Sequence, residues 1–201
     1  DAQESRGLGD VYKRQEQGFR QASNALQVFG GYGYVAEFAI EQTLRDSRIA
    51  MIYEGSNEIQ ANDLLLRKVL GDGGQGFALL LEQLRDEAGH GAQVPECVGF
   101  ARSLADLAEA LQALVAQVQQ WALEDAEYPY RAAGDFLALC GLSLLALAWA
   151  RAARVSHSLP EGDPLRGAKL ETAGFFFSYL LPQVEQRMTA VRGARAALAF
   201  I

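Results

Sequence analysis

Residues 132–155, AAGDFLALCGLSLLALAWARAARV, decide the fold. The stretch is apolar nearly all round at helical spacing. A helix of that kind has no face to give to water, so other helices must surround it. Its apolar run from Phe136 to Ala150 is bounded by Asp135 and Arg151. That run is shorter than the roughly 20 residues a membrane span needs. It reads as the central, most buried helix of a bundle, with no transmembrane segment.

The flanking segments supply the surrounding helices. Upstream, Leu104, Leu107, Leu111, Leu114, Val118 and Trp121 recur in steps of three and four, an apolar seam of the bundle type. Downstream, Asp163 reads as an N-cap and Pro164 as the first helical residue. The seam that follows runs Ala173, Phe177, Leu180, Val184, Met188 and Val191, with a kink expected at Pro182. The connections near 125–131 and 157–163 are short, so neighbouring helices should be antiparallel. No strand pattern and no internal repeat is present.

Toward the N-terminus, Phe19, Ala22, Leu26 and Phe29 form a helical stripe that stops at Gly30-Gly31. A second, short helix is expected over 36–49. A third is expected over 54–70, with Ile59, Leu65, Leu66 and Val69 inward and Ser56 helping to cap its start. Residues 71–76, GDGGQG, read as a flexible connector. A short helix over 77–87 and a loose stretch from Gly89 to Pro95 follow. The expected organisation is a foreign or disordered flank at 1–15, one helical unit at 16–70, a Gly-rich linker with a short helix at 71–96 and a helical domain at 97–201.

The 201 residues carry a formal net charge of −7 and are 50% hydrophobic, enough for a sizeable core. No basic cluster suggests a nucleic-acid surface. Residues 1–15 lack the apolar run of a signal peptide. Cys97 and Cys140 have no metal-type spacing and fit two buried thiols in a reducing compartment, here bacterial cytoplasm. His90, in a Gly-rich stretch, and His157, near a helix end, fit surface or capping roles, and no residues have a metal-binding pattern.

Chemistry concentrates in residues 26–70, LQVFGGYGYVAEFAIEQTLRDSRIAMIYEGSNEIQANDLLLRKVL. A first block, Gln27-Val28-Phe29-Gly30-Gly31 with Gly33, runs a helix into glycines. Missing side chains let a backbone press against a ligand, although a helix end followed by a turn gives the same pattern. A second block, Arg45-Asp46 with Ile49, suits charge pairing, for instance with Glu41. A third, from Ile52 to Gln60, sets Glu54 between an apolar stretch and Gly55. A carboxylate that is partly desolvated has a raised pKa and is a better base near neutral pH. From the residues alone, a glutamate favouring a helix N-terminus is the better account of the position.

Together, in this order and spacing, the three blocks resemble the C-terminal part of the acyl-CoA dehydrogenases. The helical tail more loosely resembles the extra C-terminal domain of the longer members, including those acting on 3-methylmercaptopropionyl-CoA. The resemblance implies an all-α fold: the end of the acyl-CoA dehydrogenase C-terminal helical bundle, followed by a second antiparallel bundle. It implies FAD as cofactor and an acyl-CoA as substrate. Glu54 would remove the α-proton while the flavin takes the β-hydride, giving a trans-2-enoyl-CoA. The main-chain N–H at Glu54, with a flavin hydroxyl, would polarise the thioester oxygen. Gly55 would leave room for the thioester. Gln27, Val28, Phe29, Gly30 and Gly31 would touch the flavin of a neighbouring subunit, and Ser56, Asn57 and Glu58 would contact flavin as well. An electron-transfer flavoprotein would be the redox partner and a homodimer or homotetramer the assembly.

The family's N-terminal helical domain and central β-domain are not in this sequence. The chain is therefore expected to be a fragment that binds flavin poorly and does not turn over alone. Two other readings stay open: a non-catalytic helical interaction module, and an acyl-CoA oxidase that passes electrons to oxygen.

Overall fold

The computed structural model describes residues 15–53 and 56–196. Among them the regular structure is entirely helical. Helix α1 spans Gln17–Val28 and α2 Ile40–Ile49, joined by two 3-10 turns over Gly30–Tyr34 and Ala36–Phe38. Helix α3 spans Asn57–Asn62 and continues in π-helical form over Asp63–Leu70. Helix α4 is Gln75–Gly91, α5 Val98–Glu124 and α6 Tyr128–Ser156. Helix α7, Pro164–Phe175, also runs on in π-helical form, over Phe176–Leu180, and α8 is Gln183–Gly193.

Helix α6 is the central helix, as its all-round apolar sequence requires. Phe136, Leu139 and Ala146 are fully buried. Its 29 residues make it long and apolar enough to cross a membrane, unlike the shorter run read from sequence. The helix extends past that run at both ends. Two thirds of its most apolar window is buried inside the bundle.

Cross-contacts fix the helix directions. Tyr128 Oη donates to the Val191 carbonyl oxygen, and Arg187 meets Asp135 farther along, so α6 and α8 are antiparallel. Arg85 reaches Gln112, and a Cβ on Gly91 would stand 3.2 Å from Ala101, so α4 and α5 are antiparallel too. Phe77 packs on Phe136 at 5.7 Å and Glu87 binds Arg154, which sets α4 parallel to α6. One continuous apolar core runs from Ala61 of α3 to Val191 of α8.

Several local expectations change. Helix α4 is 17 residues long: it begins at Gln75, where Asp72 organises the glycine segment before it, and runs on through His90. The Asp72 carboxylate accepts from Gly74 N at 2.7 Å and Gly76 N at 2.8 Å, a cap that starts α4 early. In the α7–α8 seam the extra residue of the π-turn moves full burial to Phe176 and leaves Phe177 half-buried. The Leu181 N–H reaches back five residues to the Phe176 carbonyl, and the chain turns at Pro182. In α3, Ile59 is exposed, Leu66 half-buried and Leu64 buried. The buried stripe there is Asn57, Ala61, Leu65 and Val69, every fourth residue, with a polar side chain at its head.

The start of α7 and the two cysteines behave as expected. Asp163 accepts from Leu165 N at 2.8 Å with Pro164 as the first residue of α7. Cys97 and Cys140 are both free and buried. Burial pushes the Cys140 thiol up to about 12 and raises that of Cys97, which the nearby Glu96 and Glu87 raise further.

Candidate active-site turn and the cleft behind it

The α1–α2 hairpin carries the first block. The chain folds back sharply over the end of α1, where a Cβ on Gly33 would fall 2.5 Å from the Leu26 carbonyl oxygen. Only glycine fits that approach. Gly30 has φ +59°, and the space over Gly30 and Gly31 is open, with no atom within 4 Å of an added Cβ. Val28 is 85% exposed and Phe29, Tyr32 and Tyr34 are exposed beside it. The turn thus offers bare main chain flanked by apolar side chains, which suits a flat, charged ligand such as a dinucleotide cofactor.

The second block does what its charges suggest. Arg45 Nε pairs with Glu41 at 2.8 Å along the outer face of α2. Arg48 lies over the Phe19 ring at 5.4 Å and helps to tie α2 to α1.

The third block begins where α2 ends in a tight turn, with Tyr53 N bonded to the Ile49 carbonyl. Glu54 and Gly55 lie outside the described residues. Before them in the chain, Ile49, Ile52 and Tyr53 are each about half exposed. After the gap, Ser56 Oγ accepts from Ile59 N at 3.5 Å and caps α3. Glu58 is exposed and Asn57 is buried, 6% exposed.

Among the described residues the first and third blocks lie at opposite ends of α1. The third block edges a cleft whose walls include Glu16, Arg20, Asn57, Glu58, Leu137 and Arg187. The first block lies at the far end of α1, about 16 Å along the helix from Gln17. Asn57 Nδ2 donates to Glu16 Oε1 inside this cleft. Asn57 Oδ1 and Arg187 Nε are buried there without a partner. The sequence reading missed this cleft, because its walls come from four helices far apart in the chain.

The most buried charge lies elsewhere. Glu87, 2% exposed, receives Arg154 through Nε at 2.6 Å and Nη2 at 2.9 Å, and Arg151 Nε at 3.3 Å. Burial pushes its carboxyl up, but the two guanidinium groups outweigh this and hold it below the ordinary range. This cluster braces α4 against α6. Among the described residues no group of side chains has the make-up of a metal site. His157 closes α6 and meets Arg166 through Nδ1 at 2.8 Å, a structural contact.

Comparison with known proteins gives the family. Residues 80–200 match the family described as acetyl-CoA dehydrogenase C-terminal like, and residues 12–68 match the acyl-CoA dehydrogenase C-terminal domain. The chain belongs to the acyl-CoA dehydrogenase family. It is 34% identical over 174 residues to the 3-methylmercaptopropionyl-CoA dehydrogenase of Ruegeria pomeroyi, covering 83% of this chain and 29% of that protein. It is 34% identical over 112 residues to the broad-specificity linear acyl-CoA dehydrogenase FadE5 of Mycobacterium tuberculosis, 52% of this chain and 18% of that one. Isobutyryl-CoA dehydrogenase of Bos taurus shares 51% over 41 residues, 20% of this chain and 10% of its own. The chain spans less than a third of the length of these relatives. The 12–68 match holds all three sequence blocks, and the 80–200 match holds the helical tail, so the all-α reading of both parts stands.

Proposed function

We propose that the chain is the C-terminal part of an enzyme that oxidises an acyl-CoA to its trans-2-enoyl-CoA, with Glu54 as the base. The observation that carries the reading is the intact third block within a matched family domain: Ile52-Tyr53-Glu54-Gly55 running directly into the capped start of α3.

The thioester oxygen of a bound acyl-CoA takes hydrogen bonds that spread charge from the α-carbon as its C–H bond breaks. The main-chain N–H at Glu54 is the donor from this chain. The Glu54 carboxylate accepts the α-proton. The electron pair of that bond becomes the second bond between the α- and β-carbons, and the β-hydrogen leaves with its pair. FAD, when bound, supplies the two-electron acceptor for that hydride. Gly55 keeps room for the thioester. Ser56 and Glu58, half-buried and exposed at the head of α3, contact the cofactor in this reading, and Asn57 contributes its main chain. Gln27 to Gly31 bind the cofactor of a neighbouring subunit, which fits a separation of one whole helix from the third block.

In this reading residues 16–70 end the catalytic part, the glycines with α4 bridge it to the tail, and 97–201 form the extra C-terminal domain. A soluble cytoplasmic homo-oligomer that delivers electrons to an electron-transfer flavoprotein completes the reading. The test is anaerobic titration of the full-length parent protein with a panel of acyl-CoAs. Bleaching of the flavin with enoyl-CoA product supports the reading. A flavin that no acyl-CoA bleaches contradicts it.

A further inference from the structure

The geometry points to Asn57 as a positioning residue that ties the head of α3 to the start of α1; this rests on the function proposed above. Asn57 heads the buried stripe of α3, in line with Ala61, Leu65 and Val69. Its side chain is turned inward and is nine-tenths buried. Its amide nitrogen donates to Glu16 at the start of α1. Its amide oxygen is buried without a partner beside a cleft that residues of α6 and α8 also line, and Arg187 Nε of α8 is buried there without a partner as well. Arg187 is held in place by Asp135 of α6 at 2.6 Å.

A polar residue at a stripe position is costly unless its hydrogen bonds are geometrically fixed. Here the one bond made, to Glu16, fixes where α3 begins against α1. The start of α3 follows Glu54 by only three residues, so a shift of α3 carries the base with it. One residue of helical slip is about 1.5 Å, and a misplacement near 1 Å costs up to about a hundredfold in rate.

The experiment uses the full-length parent protein with Asn57→Ala, Asn57→Asp, Glu16→Gln and the pair Asn57→Asp with Glu16→Gln. Asn57→Asp sets two carboxylates against each other, and adding Glu16→Gln restores one donor and one acceptor. Both single changes at Asn57 are expected to lower kcat for flavin reduction by about tenfold or more. KM and flavin content should stay within about twofold, because no ligand contact is lost. The paired variant should recover most of the rate lost in Asn57→Asp. Three results overturn the proposal: an unchanged rate in Asn57→Ala, loss of flavin with an unchanged rate per bound flavin, or no rescue by Glu16→Gln. Failure here leaves wild-type activity intact. A wild type inert to every acyl-CoA sinks the functional reading, and this inference with it.

Discussion

The α1–α2 hairpin and the bundle from α3 to α8 are both rich in apolar side chains, and they treat them oppositely. In the bundle Phe136, Leu139, Leu111 and Leu104 are fully buried. In the hairpin Val28, Tyr32 and Tyr34 lie largely open, Phe29 and Phe38 about half open, and Ala22 is the one buried apolar side chain. The bundle satisfies itself. The hairpin presents an apolar surface around a bare glycine turn, the arrangement of a surface completed by something else. The chain's small share of its relatives' length points to the same conclusion. The buried core and the exposed apolar turn are therefore separated along the chain, and substitutions in the two regions should have different effects.

The largest stability effect belongs to the bundle. Phe136→Ala should cost about 3–5 kcal/mol, read by denaturant unfolding of this chain. A cost below about 1 kcal/mol would mean that α6 is not the centre of the core.

Arg154→Met comes next, at roughly 2–3 kcal/mol, because it leaves Glu87 buried with only Arg151. The Glu87 pKa is depressed, so its stabilisation is present above the ordinary carboxylate range and lost as pH falls through the depressed value. Removing Arg154 lets that pKa rise, so acid unfolding of the variant should begin at higher pH than in the wild type. Identical acid midpoints would remove Glu87 from the bracing role.

Thiol chemistry sharpens the contrast without any substitution. Cys97 and Cys140 are buried with raised pKa values. Both should resist a thiol reagent in native buffer and react at once in denaturant. Fast native labelling of Cys140 would show that the bundle opens.

The smallest stability effect belongs to the hairpin. Val28→Ser should change the stability of this chain by less than about 0.5 kcal/mol. In the full-length protein the same change should weaken flavin retention or assembly. No effect in either setting would remove the first block from the cofactor surface.

The bundle was largely legible in the sequence because its signals are local. The 104–121 seam, the apolar α6 and the Asp163-Pro164 start each lie within a few helical turns. The π-turns were not legible, since a single extra residue in a helix leaves no mark on apolar spacing. That is why Phe176 replaced Phe177 as the fully buried ring. The Asp72 cap hid among glycines that read as a flexible connector. The Glu87–Arg154 brace joins residues 67 positions apart, which no spacing rule finds. In the candidate site the family blocks were legible as motifs. The inward turn of Asn57 was not, because one buried amide in a polar run looks like surface until α6 is packed against it.

The most direct measurement is anaerobic stopped-flow reduction of the full-length protein carrying Glu54→Gln, using an acyl-CoA that bleaches the wild type. The account predicts that the variant retains its flavin and binds the acyl-CoA, and that flavin reduction slows by about a thousandfold or more. Reduction at the wild-type rate would place the base on another residue and contradict the central assignment.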